Sequence, residues 1–118
     1  MHKVAVYGSL RQRTGNHRLL TISNYLGTTV VDGWDLYDLG AFPAITPGEL
    51  PLTVEVYEVD DVVFASLDRL EGYPSFYDRK LIPTEYGDAW IYYFHSAPNA
   101  PQVHSGDWVA YYNLRGRY

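Results

Sequence analysis

Two features of this 118-residue sequence carry groups that could do chemistry. The first is Glu71, which follows an apolar run and precedes Gly72-Tyr73-Pro74, with Phe76 and Tyr77 close behind. A glutamate among aromatic rings loses solvation, which raises its pKa from about 4.3 toward the neutral range where it can exchange protons. The same glutamate could instead end a helix as the ion-pair partner of Arg69 or Arg79, and the residues alone weigh the two readings evenly. The second feature is Tyr7-Gly8-Ser9-Leu10. A strand ending in Gly-Ser exposes successive backbone N–H groups, and glycine permits φ values that let neighbouring amides converge on an anion. An ordinary strand-to-loop exit accounts for the same tetrapeptide, and on residue types alone it is the stronger reading.

Other chemistries find no support. His2, His17, His95 and His104 are widely spaced and show no metal-binding pattern, so no metal is expected. Gly8-Ser9-Leu10-Arg11 has neither phosphate-loop nor dinucleotide spacing, and no Gly-x-Ser-x-Gly elbow surrounds Ser9, which is therefore a poor nucleophile. There is no cysteine, which excludes thiolate catalysis and disulfides and suits a reducing compartment. Of the twelve tyrosines, most suit the packed rim of a curled sheet, but Tyr7, Tyr73 and Tyr77 each adjoin a turn or a glycine and could line a pocket.

The net charge is −5, and no Lys or Arg occurs between Arg18 and Arg69. The short basic clusters, Arg11, Arg13 and Arg18 and then Arg115 and Arg117, read first as solvated tails and second as a cationic rim around an anionic ligand. Nucleic-acid binding, which needs a basic stripe, is not expected. No apolar run approaches membrane-spanning length, and a cytoplasmic location is expected.

These residues need elements to position them. Length predicts a single domain over 1–118. Lys3–Tyr7 alternates as a strand ending at Gly8, and the turn chemistry of Thr14–His17 could cap a short helix through Leu20. Residues 28–39 read as a strand with Gly33 a candidate bulge. A turn is expected at Thr46-Pro47-Gly48-Glu49, then a strand over Leu52–Val59 with Leu52, Val54 and Val56 on one face and Thr53, Glu55 and Tyr57 on the other. Asp60 or Asp61 should cap a helix bearing Val63, Leu67 and Leu70, which must stop before Gly72. Glu71 then falls in the last turn, where the helix dipole disfavours a carboxylate. Tyr77–Tyr86 and Ala89–His95 predict a hairpin about Gly87-Asp88. Gly106–Asn113 reads equally as strand or short helix. The fold class is α+β: a small mixed β-barrel or strongly curled sheet with one main helix.

Set in order, these segments resemble a known family. Val4–Leu10 with Asn16-His17, Tyr37–Gly40 with Phe42–Ile45, Val54–Val59, Leu67–Pro74 with Tyr77 and Arg79, and Ala89–Tyr93 are similar to successive segments of the γ-glutamylcyclotransferase-like proteins. That group includes the γ-glutamylamine cyclotransferases and the plant AIG2-like proteins. The resemblance implies that Tyr7, Gly8, Ser9 and Leu10 line the substrate site and that Glu71 is the acid/base. It implies a small-molecule γ-glutamyl substrate, no cofactor, 5-oxoproline as product, and a monomer or weak homodimer. Tyr7, Tyr77 and Tyr112 are then candidates for binding substrate and stabilising the oxyanion. A γ-glutamyl-protected antibiotic intermediate is a further substrate to weigh. The alternative function is a non-catalytic metabolite-binding module of the same fold. The chain is short for the family, so a pocket open on the leaving-group side is expected.

Overall fold

The computed structural model describes residues 1–115. Strand β1 runs His2–Val6; a 3-10 turn follows at His17–Leu20, then β2 at Asn24–Asp38 and β3 at Pro43–Val59. Helix α1 spans Asp61–Glu71, β4 Asp78–Ile82, β5 Ala89–Tyr93 and helix α2 Trp108–Arg115. The strands form one five-stranded sheet in the order β2-β3-β1-β5-β4. β1 runs parallel to β5, and the other neighbours pair antiparallel. The α+β class expected from the sequence is the one formed.

The sheet curls until its two edge strands share an interior. Trp34 and Leu36 of β2 pack in one cluster with Ile82 of β4 and Ile91 of β5. The Lys80 ammonium on β4 lies 5.8 Å from the Trp34 ring centroid. Among the described residues no ladder joins β2 to β4, so the molecule is the strongly curled sheet and not a barrel closed by hydrogen bonds.

Alternation in β1 sends Ala5 and Tyr7 into that interior and Val4 and Val6 to the opposite face. There they meet Val63, Phe64 and Leu67, the buried stripe of α1. Asp60 starts this helix, its Oδ1 accepting from Val63 N at 2.8 Å. Gly72 ends it in the left-handed region at φ 64°, with Gly72 N donating to Arg69 O and Tyr73 N to Asp68 O. Leu70, expected in the buried stripe, is instead exposed beside the last turn.

β3 departs furthest from expectation, because Thr46-Pro47-Gly48-Glu49 is continuous strand and no turn. β1 pairs with β3 only over Glu55–Val59, so Pro43, Pro47 and Pro51 lie where β2 is the sole neighbour of β3. The register shifts between Asp32 and Trp34, where residues 48–50 of β3 stand opposite the single residue Gly33 at φ 92°. The real turn sits at residues 39–42. The hairpin expected about Gly87-Asp88 is present, with β4 shorter than drawn from the sequence. Residues 108–115, undecided in sequence, are helical: Asp107 Oδ1 accepts from Ala110 N at 3.2 Å at the start of α2.

Arg11 ties these pieces together. Its Nε donates to Glu55 Oε2 at 2.9 Å and its Nη1 to Asp107 Oδ1 at 2.8 Å. Glu55 also accepts from Gln12 N and from the Tyr57 hydroxyl. One buried guanidinium thus joins the loop after β1 to the middle of β3 and the start of α2. Arg11 is therefore neither a solvated tail nor a rim for a ligand, and Glu55 and Tyr57, on the face of β3 opposite Leu52, Val54 and Val56, are buried with it. Arg117 lies outside the described residues. Arg11→Met leaves Glu55 buried and unpaired, and urea unfolding should show a loss of about 3–5 kcal/mol. The double variant Arg11→Met/Glu55→Leu should recover part of that loss.

Candidate active site

The end of β1, the last turn of α1, the β2–β3 turn and the loop after α1 enclose a cavity of about 260 Å³. Tyr7, Gly8, Ser9 and Leu10 line it, and so do Glu71 and Tyr77. Two segments more than sixty positions apart meet because α1 packs along the face of β1 and ends level with the exit of that strand.

Glu71 is the one ionisable carboxylate of the lining. Burial pushes its carboxyl from 4.5 up to about 7. Its position at the negative end of α1 acts in the same direction. The arginines that could have neutralised it are engaged elsewhere. Arg79 donates from Nε to Asp68 Oδ1 at 2.9 Å and stacks within 4.6 Å of the Phe64, Tyr73 and Trp90 ring centroids. Arg69 donates to the Ser66 hydroxyl. Among the described residues Glu71 makes no ion pair, which resolves the even choice left by the sequence in favour of the desolvated carboxyl.

Gly8–Leu10 form a braced turn. Arg11 N donates to Gly8 O at 3.0 Å, and Ser9 O accepts from Asn16 N at 2.8 Å and from the Thr14 hydroxyl at 2.5 Å. His17 Nδ1 lies 3.0 Å from Leu10 O. The carbonyls are thus occupied, whereas the N–H groups of Ser9 and Leu10 donate to no described residue. Gly8 serves differently from the expectation: its φ is not positive, and a Cβ there would lie 2.6 Å from Pro43 Cγ. Close approach of the Pro43 ring at the start of β3, not unusual backbone freedom, requires glycine.

The cavity is lined by four hydroxyl-bearing side chains, Tyr7, Ser9, Tyr77 and Tyr92. The Tyr7 hydroxyl donates to Tyr92 O at 2.8 Å, that of Tyr77 to Pro43 O at 2.5 Å and that of Tyr92 to Asp68 Oδ1 at 2.7 Å. Burial first, and then nearby acidic groups, raise all three phenols well above their ordinary pKa, so they stay neutral. A phenol has a single proton to give. Ser9 Oγ accepts from Asn16 Nδ2 at 3.0 Å, and among the described residues its own proton has no acceptor.

Tyr112 is not part of this cavity. It stands half exposed on α2, its ring 5.6 Å from that of Trp108, because helical and not extended structure over 108–115 turns it outward. Tyr73 also stays outside the lining, under the Arg79 guanidinium. Asn16, Phe42, Pro43, Leu70, Phe76 and Tyr92 line the cavity but were not singled out from the sequence as contact residues. Asn16, Phe42, Pro43, Leu70 and Tyr92 all fall within the family-like segments, which was the signal available for them. Among the described residues no cluster of three or more His, Cys, Asp or Glu side chains could hold a metal.

Residues 4–110 match the family model described as gamma-glutamyl cyclotransferase, AIG2-like. The chain belongs to this family. It is 39% identical over 108 residues to the gamma-glutamylcyclotransferase family protein YtfP of Escherichia coli K12, covering 91% of this chain and 96% of the relative. The crystal structure of the uncharacterized protein PH0828 from Pyrococcus horikoshii superposes with TM-score 0.89 at 29% identity, covering 100% of this chain and 98% of the other. The solution structure of E. coli ytfP superposes with TM-score 0.74 at 38% identity, over 91% and 96% of the two chains. The γ-glutamylcyclotransferase-like assignment thus spans nearly all the described elements.

The raised carboxyl has a measurable cost. A folded-state pKa above the unfolded one means that the native state binds more protons, so stability from this group falls as pH rises from 4.5 to about 7. Glu71→Gln should therefore be more stable than wild type at pH 8, on the order of 1 kcal/mol after allowance for solvent at the open mouth. The gain, read from urea midpoints, should shrink as pH falls toward 5.

Proposed function

We propose that this chain is a γ-glutamyl cyclotransferase that converts a γ-glutamyl amide into 5-oxoproline and a free amine. The observation that carries this reading is the desolvated, unpaired Glu71 lining the same cavity as Ser9 and Leu10, whose N–H groups donate to no described residue. A γ-glutamyl substrate supplies both reactants. Its α-amine attacks its own γ-carbonyl carbon, so the protein needs no nucleophile of its own.

The residues divide the work. The Ser9 and Leu10 amides hold the α-carboxylate, as no cationic side chain lines the cavity. Glu71 takes a proton from the α-ammonium and returns one to the departing nitrogen, which suits a carboxyl poised near 7. Tyr77, its proton committed to Pro43 O, offers lone pairs to the ammonium. The tyrosines are thereby spent as donors, and the developing oxyanion falls to the Ser9 hydroxyl, oriented by Asn16. Holding the chain bent for ring closure supplies up to about 7–11 kcal/mol of the barrier. The balance is complete: one C–N bond forms, one breaks, and two ammonium protons finish on the leaving amine.

Chromatographic detection of 5-oxoproline from a γ-glutamyl amide tests the reading. Glu71→Gln should lose about 10²–10⁴-fold in kcat. In wild type kcat/KM should rise as pH passes through about 7 and level off above it, since the base must be ionised. Gly8→Ala, which drives a methyl into Pro43, should weaken calorimetric 5-oxoproline binding by about tenfold while circular dichroism shows the fold kept. Binding of 5-oxoproline with no turnover of any γ-glutamyl amide would point to the binding module.

A further inference from the structure

The cavity has a mouth of unusual composition. Phe42, Leu70 and Phe76 all line it, yet they are 37%, 42% and 55% exposed. They come from three different segments, the β2–β3 turn, the last turn of α1 and the loop after it, and meet at the one cavity. Phe76 is held in place despite its exposure. Its N donates to Gly72 O at 2.8 Å, and its ring meets those of Phe42, Tyr77 and Phe94 edge-on at centroid distances of 6.1, 5.1 and 5.2 Å. Large apolar groups left in water around a cleft mark a contact surface.

At about 260 Å³, mouth included, the cavity falls just below the roughly 300 Å³ at which drug-sized pockets begin. With the γ-glutamyl head placed between the Gly8 loop and Glu71, the leaving group lies against the remaining lining, Phe42, Leu70 and Phe76. No Lys or Arg side chain lines the site, and Arg11, Arg69 and Arg79 are bound to Glu55 and Asp107, to Ser66, and to Asp68. A carboxylate next to the leaving nitrogen would therefore sit among rings, unpaired and close to Glu71, at a desolvation cost.

The geometry points to Phe42, Leu70 and Phe76 as a leaving-group subsite that accepts an apolar, uncharged amine substituent, aromatic or branched aliphatic, and disfavours an α-amino acid. The inference rests on the proposed cyclotransferase function and adds the class of amine to it.

Three substrates separate the two claims: γ-glutamyl phenethylamide, γ-glutamyl methylamide and γ-glutamylglycine, each assayed for 5-oxoproline. The phenethylamide should exceed γ-glutamylglycine by about tenfold or more in kcat/KM, mainly through KM. Phe76→Ala and the milder Phe76→Leu should each lower the phenethylamide-to-methylamide ratio. Leu70→Lys, at an exposed position that tolerates charge, should move the preference toward γ-glutamylglycine. Turnover of γ-glutamylglycine at or above the phenethylamide overturns the inference and leaves the function standing. An unchanged ratio in both Phe76 variants overturns the subsite. No 5-oxoproline from any of the three overturns the function itself.

Discussion

A carboxyl group held out of water without a counter-ion is costly, and much of this fold bears on keeping Glu71 in that state. The arginines flanking it in sequence are engaged elsewhere: Arg69 donates to the Ser66 hydroxyl, and Arg79 is held by Asp68 and enclosed by three aromatic rings. The left-handed Gly72 ends α1 one residue later, which leaves Glu71 at the dipole's negative end and over the cavity. Were either guanidinium to swing toward it, the carboxyl would return to its ordinary range and lose its use as a proton carrier near neutrality.

The same constraint explains why the partner loop is built from backbone. A cation placed to bind the substrate's α-carboxylate would also pair with Glu71 and lower its pKa. Amides avoid that conflict, because they attract an anion without carrying a full charge. The loop is rigid for this task. Its carbonyls are satisfied by Arg11, Thr14 and Asn16, and the Arg11 network anchors it to β3 and α2. Site chemistry and fold stability therefore meet in a few residues next to Gly8.

Much of this was legible in the residues. A cap at Asp60 or Asp61, the apolar spacing of Val63 and Leu67 and the stop at Gly72 place Glu71 in the last turn of α1, because helix signals are local. The β1 exit at Gly8 was readable for the same reason, and Gly33 marked the register shift although the bulging residues are those of β3 opposite it. What escaped was set by tertiary contacts. Thr46-Pro47-Gly48 carries turn residues, yet it continues β3 because it pairs with β2 beyond the reach of β1, and residues 48–50 bulge from β3 opposite Gly33. Arg11 looked like a surface charge until Glu55 and Asp107, distant in sequence, closed on it. Tyr112 shared the composition of Tyr77 and differed only in the helix that carries it away. The role of Gly8 was visible, but its reason, the ring of Pro43, was not.

The central claim is spatial: one small ring must touch both the backbone of the Gly8 loop and the carboxyl of Glu71. The direct measurement is a crystal structure of the protein soaked with 5-oxoproline. The lactam should lie inside the cavity, its carboxylate accepting from the Ser9 and Leu10 amides and its ring nitrogen within hydrogen-bonding distance of Glu71. A lactam bound with its carboxylate on a cationic side chain, or seated away from Glu71, would contradict the claim.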